Sequence, residues 1–189
     1  MSELSTASEL DLGALLDGAR EEAFRLELLP VFSVPEEADQ LAAFLAGALP
    51  PPPSEALREW CDHVGAQRGA GRRHLRLRVL PEALPPYLLF EIEWGYVHTV
   101  PAGEDIRFID RAEFERLSPV RQDFWLIDGV VGALMDYTPE GAFLGVHAAP
   151  EEQLADLRAV RDLHERGRPL EAVLSEIRTG RLAVEPLRR

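Results

Sequence analysis

Residues His74 to Leu80 constrain the fold more than any other stretch of the chain. Apolar Leu75, Leu77 and Val79 alternate with His74, Arg76 and Arg78. A period of two fits a pleated strand and cannot lay an apolar stripe along a helix. The pattern predicts a strand whose leucines and valine face a core and whose outer face is basic. A lone strand is not stable, so others must pair with it. Phe24, Leu26 and Leu28 alternate with Arg25 and Glu27 in a short segment ending at Pro30. Ile106 to Asp110 and Asp123 to Asp128 read as further strands. Gly129 turns the second of these into Val130 to Tyr137, and Pro139, Glu140 and Gly141 lead to a last strand at Phe143 to Val146.

Between these segments the apolar spacing becomes helical. Leu12, Leu15, Leu16 and Ala19 share a face over Glu9 to Arg20, and Pro35 opens a second helix through Leu41, Ala42, Phe44 and Leu45. Ser54 is an N-cap for a third helix carrying Leu57, Trp60, Cys61 and Val64, which Gly65 to Gly71 should break. Pro85 and Pro86 start a helix through Tyr87, Leu88, Phe90, Glu91 and Trp94, although Ile92 and Tyr96 also fit a strand. Pro150 and Pro169 open two C-terminal helices, the first ending at Gly167. The expected fold is therefore mixed α/β: a central mixed β-sheet flanked by helices, with a right-handed crossover between the strands near residues 77 and 108. Pro50 to Pro53 form a stiff spacer. They divide the chain into an N-terminal helical annex, residues 1–53, and a mixed α/β domain with C-terminal helices, residues 54–189.

Charge narrows the chemistry. The chain holds 33 acidic and 20 basic residues, and every basic residue is arginine. Without lysine there is no Schiff-base catalysis and no P-loop lysine. Residues 1–59 hold twelve acids against three arginines, whereas residues 60–80 hold five arginines against Asp62. The net charge of −13 repels nucleic acid as a partner, but the basic island can still hold a phosphate or an acidic group. One cysteine, Cys61, excludes an intrachain disulfide and an all-cysteine metal site. The acidic N-terminus and the lack of an apolar run of membrane-spanning length point to a cytoplasmic protein.

Four short motifs in order, Ala23-Phe24-Arg25-Leu26-Glu27-Leu28, Tyr87-Leu88-Leu89-Phe90-Glu91, Ala102-Gly103-Glu104-Asp105-Ile106-Arg107 and Asp123-Phe124-Trp125-Leu126-Ile127-Asp128, carry a resemblance over residues 12 to 175. The chain resembles an uncharacterised actinobacterial family commonly encoded beside helix-turn-helix regulators. That resemblance implies no activity; by association it implies a role in transcriptional regulation. The element order after residue 73 also looks like half of a phospholipase-D-type fold, whose enzymes need a His, a Lys two residues on and a nearby Asp. Here Arg76 follows His74 and Val100 follows His98, so the resemblance extends to the fold without the chemistry.

Candidate site residues follow from residue type. Arg76 and Arg78, on one face of a strand, can fork onto a phosphate or carboxylate. Glu91 and Trp94 would border that anion site, and Trp94 and Tyr96, beside Gly95, suit a partner surface. Trp125 and Tyr137 complete the aromatic group, with Trp125 expected in the core. Glu91, Glu93, Glu104, Asp105, Asp123, Asp128 and Asp136 are carboxylates on the elements expected around the sheet's end, where a converging pair would do acid–base work or hold a hard cation. Cys61 and His63 lie two apart on a helix and cannot share a metal, and His147 and His164 lack partners at ligand spacing. There is no Gly-x-Ser-x-Gly elbow, and Gly69-Ala70-Gly71 lacks the rest of a dinucleotide fingerprint. These features favour a non-catalytic binding protein that needs no cofactor and no metal. It would be an accessory partner of a helix-turn-helix regulator, docking through an acidic face, or a sensor of a small anionic ligand. The alternative is a small enzyme using carboxylates and a divalent metal on a degenerate phosphoryl-transfer fold.

Overall fold

The computed structural model describes residues 10–186. In chain order the strands are β1 (Glu22–Glu27), β2 (Arg73–Leu80), β3 (Ala83–Leu84), β4 (Glu104–Asp110), β5 (Phe124–Ile127), β6 (Val131–Tyr137), β7 (Phe143–Ala148), β8 (Arg168–Pro169) and β9 (Ala183–Val184). The helices are α1 (Leu12–Asp17), α2 (Ala38–Leu45), α3 (Glu55–Gly69), α4 (Pro86–Phe90), α5 (Tyr96–Ala102), α6 (Arg111–Leu117), α7 (Leu154–Asp162) and α8 (Leu170–Arg178). One mixed sheet of seven strands runs β7-β6-β5-β1-β2-β4-β8, and β3 pairs only with β9.

The two alternating segments of the sequence lie side by side. β1 and β2 are parallel, with Arg25 opposite Arg76, Leu26 opposite Leu77 and Glu27 opposite Arg78. β4 continues the parallel set beyond β2, while β5 joins the other side of β1 antiparallel. One face of this sheet is apolar as expected: Phe24, Leu26, Leu75, Leu77 and Val79 pack with Phe114, Leu157 and Val160. Each such side chain contributes roughly 1.5–3 kcal/mol by leaving water.

The other face departs from expectation. His74 and Arg78 are buried and Arg76 is nearly so, because the crossover helices α3 and α5 pack on each other and on β2 and β4. Parallel strands joined by helical crossovers are covered on both sides, so the predicted basic outer face is an interior layer. The N-terminal segment is likewise not a helical annex, since β1 lies near the middle of the sheet. The proline run falls inside the crossover from β1 to β2, between α2 and α3, and so divides no domains.

Local signals also shift. Ser54 caps α3, its hydroxyl accepting from the Leu57 N–H at 3.2 Å, but the helix continues past Gly65 to Gly69. After Pro86 the chain is helical rather than extended. It includes one π turn over Glu91–Gly95, and that wider turn buries Ile92, Trp94 and Tyr96 together.

The turn between β6 and β7 pins the strap Val31–Val34 against the sheet. The Ser33 N–H donates to the Gly141 carbonyl at 3.0 Å, and Gly141 has a left-handed φ of 86°. A Cβ there would press on the Val31 carbonyl oxygen. Gly141→Ala should therefore lower the unfolding free energy by about 1–2 kcal/mol, from the left-handed conformation and the clash, read by urea denaturation. Unaltered stability would show that the strap is not held closely at this point.

Candidate functional site

The buried face of β1 and β2 carries a layer of paired charges. Glu27, only 2% exposed, is its centre. Its Oε1 accepts from Arg76 Nη1 at 2.8 Å and lies 2.6 Å from Arg25 Nε. Its Oε2 accepts from the Tyr96 hydroxyl at 3.1 Å and stands 3.7 Å from Arg78 Nη1. Burial by itself pushes the Glu27 carboxyl up, but Arg76, Arg25 and Arg78 together hold it well below the usual carboxylate range. Around this centre, Arg76 Nε donates to Glu104 Oε1 at 2.8 Å. Arg78 donates to Glu91 Oε2 at 2.7 Å and to the Leu29 carbonyl at 2.6 Å. The Trp60 indole N–H reaches Glu104 Oε2 at 3.3 Å.

Two cavities open onto this layer. One, of about 290 Å³, is bordered by Trp60, Trp94, Tyr96 and Thr99; the other, of about 320 Å³, by Arg25, Phe32, Tyr87 and Tyr137. Val34, Glu37, Arg76 and Glu91 line both, so the two form adjoining halves of a cleft roofed by the strap before α2. Burial pushes the Glu91 carboxyl up to about 7, with Arg78 pulling it down and Glu27 pushing it up further. Burial also raises Glu37, partly offset by the Tyr87 hydroxyl that donates to it at 2.8 Å. The cleft thus combines fixed positive charge, a carboxyl that titrates near neutrality and aromatic walls, the chemistry of a ligand site.

The expected site residues meet different fates. Arg76, Glu91 and Trp94 do converge on the cleft. Arg78 is fully buried and held by Glu91 and Leu29, so it has no access to an outside anion. Trp94 and Tyr96 form no exposed partner surface: Trp94 packs edge-on against Phe44 at 5.3 Å, and Tyr96 lies under Arg76 at 5.4 Å.

Most other carboxylates do local work. Asp128, itself at a left-handed φ of 51°, accepts from the backbone N–H groups of Arg20, Glu21 and Glu22. Asp105 pairs with Arg107 at 2.7 Å and Asp136 with His147 at 2.9 Å. Glu93, half-buried on the π turn, is raised by burial alone. Among the described residues, no group of three His, Cys, Asp or Glu side chains is arranged to hold a metal ion. Cys61 is partly buried and its thiol is pushed up, by burial first and then by Glu104, which opposes thiolate chemistry. His164 is buried with Nε2 2.9 Å from the Asp105 carbonyl, and Trp125 lies in the core under Arg25.

Sequence reasoning missed Arg25, Glu27 and Glu37. A signal was present for the first two: once the alternating segments pair in parallel, Arg25 and Glu27 must share a face with Arg76 and Arg78. Glu37 comes from a different element, and nothing in its neighbourhood of the sequence marks it.

No helix among the described residues is long and apolar enough to cross a membrane. No curated protein matches the chain. A family model described as "Domain of unknown function (DUF6879)" matches residues 10–174. With nearly the whole sheet and both crossovers inside that match, the chain belongs to this family.

Proposed function

We propose that the protein binds a small ligand in the cleft beneath the Val31–Val34 strap and the Pro35–Glu37 turn that follows it, and that the ligand's polar end is a carboxylate or similar anion. The observation that carries this reading is Arg76. It sits where both cavities meet, is 12% exposed, and has named partners at three of its five N–H groups. The remaining donors supply the anion contact, and Trp60 and Trp94 supply apolar walls.

Glu91 sets the pH dependence. An anion beside Arg76 favours the protonated form of Glu91, so binding takes up a proton and strengthens as pH falls through about 7. Isothermal titration with benzoate and its neutral counterpart benzamide tests the idea. Benzoate should bind several-fold more tightly at pH 6 than at pH 8, benzamide should bind weakly at both, and Arg76→Lys should weaken benzoate by about 10-fold through loss of the fork. Equal affinities for the two probes, or benzoate binding unaltered in Arg76→Lys, would refute the reading. The accessory role beside a regulator rests on the family resemblance and on an acidic docking face; Trp94 and Tyr96 are buried and take no part in such a surface.

A further inference from the structure

A second crevice, of about 660 Å³, lies outside the carboxyl ends of β1 and β2, where Leu28 to Pro30 and Pro81 leave the sheet. In open α/β sheets this end is where ligands collect. Asp123 lines it, immediately before β5, the strand antiparallel to β1. It is 3% exposed, and its Oδ1 accepts from the Leu28 N–H at 2.8 Å. Its Oδ2 has no hydrogen-bond partner among the described residues, and no arginine there lies within ion-pair distance of it. A buried carboxylate with one oxygen unpaired is costly, and such groups mark functional sites. Leu28, Phe114 and Met135 give it an apolar wall, and Arg111 and Arg121 stand at the same crevice together with Glu115 and Asp136. Arg121 is exposed and uses only Nη1, on the Ser118 and Val120 carbonyls; Arg111 uses Nη2 on the Leu28 carbonyl and has Nη1 3.7 Å from Glu115 Oε1. Both retain free donors.

We propose that this crevice binds a zwitterion of the amino-acid type with an apolar side chain. Its ammonium donates to Asp123, its carboxylate meets Arg121 and Arg111, and its side chain packs on Leu28, Phe114 and Met135. Oδ2 is closed off from solvent, so seating the ammonium requires a small shift of the crevice wall. The crevice adjoins the Arg76 cleft at Met135 and Tyr137, which line both, but its charged contacts Asp123, Arg111 and Arg121 do not line that cleft.

Titration calorimetry of the full chain at pH 7.5, with L-phenylalanine, phenethylamine and N-acetyl-L-phenylalanine, tests the proposal. Phenylalanine should bind, and removing its carboxylate or blocking its amine should weaken binding by about 10-fold each, as expected for charge-assisted contacts. Asp123→Asn keeps an acceptor for the Leu28 N–H and should fold, yet should lose at least about 10-fold in phenylalanine affinity. Arg121→Ala, at an exposed position, should show a similar loss, and both losses should persist when excess benzoate occupies the Arg76 cleft. In excess benzoate, no binding of phenylalanine, N-acetylphenylalanine binding as tightly as phenylalanine, or full displacement of phenylalanine by the benzoate would each overturn the proposal.

Discussion

Glu27→Gln is expected to lower the unfolding free energy at pH 7 by about 3–5 kcal/mol, the range for breaking a buried ion pair. The reason is the number of charges that depend on one carboxylate. Arg25, Arg76 and Arg78 all lie within 3.7 Å of Glu27, and removing its charge leaves the layer with three guanidinium groups against Glu91 and Glu104. Glu91 is itself only partly ionised near neutrality, so it compensates poorly. Because the folded-state carboxyl is depressed, its stabilisation is present above the unfolded value of about 4.5 and is lost as pH falls below it. The gap between wild type and Glu27→Gln should therefore narrow in acid. Urea unfolding at several pH values measures this. A loss under about 1 kcal/mol at pH 7, the size of an exposed pair, would mean that water or other carboxylates take over the arginines.

The opposite effect is expected at Asp123. Burial pushes its carboxyl up to about 6, against the pull of the Leu28 N–H and Arg25. Relative to an ordinary value of 3.8, ionising Asp123 in the folded chain costs up to about 3 kcal/mol at 1.36 kcal/mol per unit. Asp123→Asn removes that charge and keeps the shape, so it should raise the melting temperature at pH 7.5. Between pH 4 and 6 the folded state binds more protons than the unfolded state, so wild-type stability falls as pH rises through that window. The gain from Asn should thus vanish near pH 4, grow to about pH 6 and level off above it. A destabilised Asp123→Asn at pH 7.5 would show that the ionised carboxylate is stabilised by a partner within the chain. A variant that gains stability while losing a ligand is the pattern of a site kept for function.

How much of this was legible in the residues varies by element. Alternation placed β1 and β2, and the prolines at 85–86, 150 and 169 marked helix starts, because both signals are local: they depend on dihedral preference and on which side chains share a face. The reading failed at Arg78, Trp94 and Tyr96, which were expected outside and are buried. Alternation separates two faces of a strand but says nothing of what covers the second one. Pro50 to Pro53 read as a stiff spacer, yet a stiff composition does not tell a domain linker from an irregular stretch within a crossover.

The residues alone therefore determined the mixed α/β class, the arginine-only basic chemistry and the pairing of charged with apolar positions along β1 and β2. Only the tertiary structure decided that those charged positions form an interior layer, with Glu27 as its centre, Arg76 at a cleft and Asp123 unpaired at a crevice. The physical reason is range. Local periodicity acts over a few residues, whereas the electrostatics of each carboxylate is set by arginines and helices brought in from up to a hundred positions away.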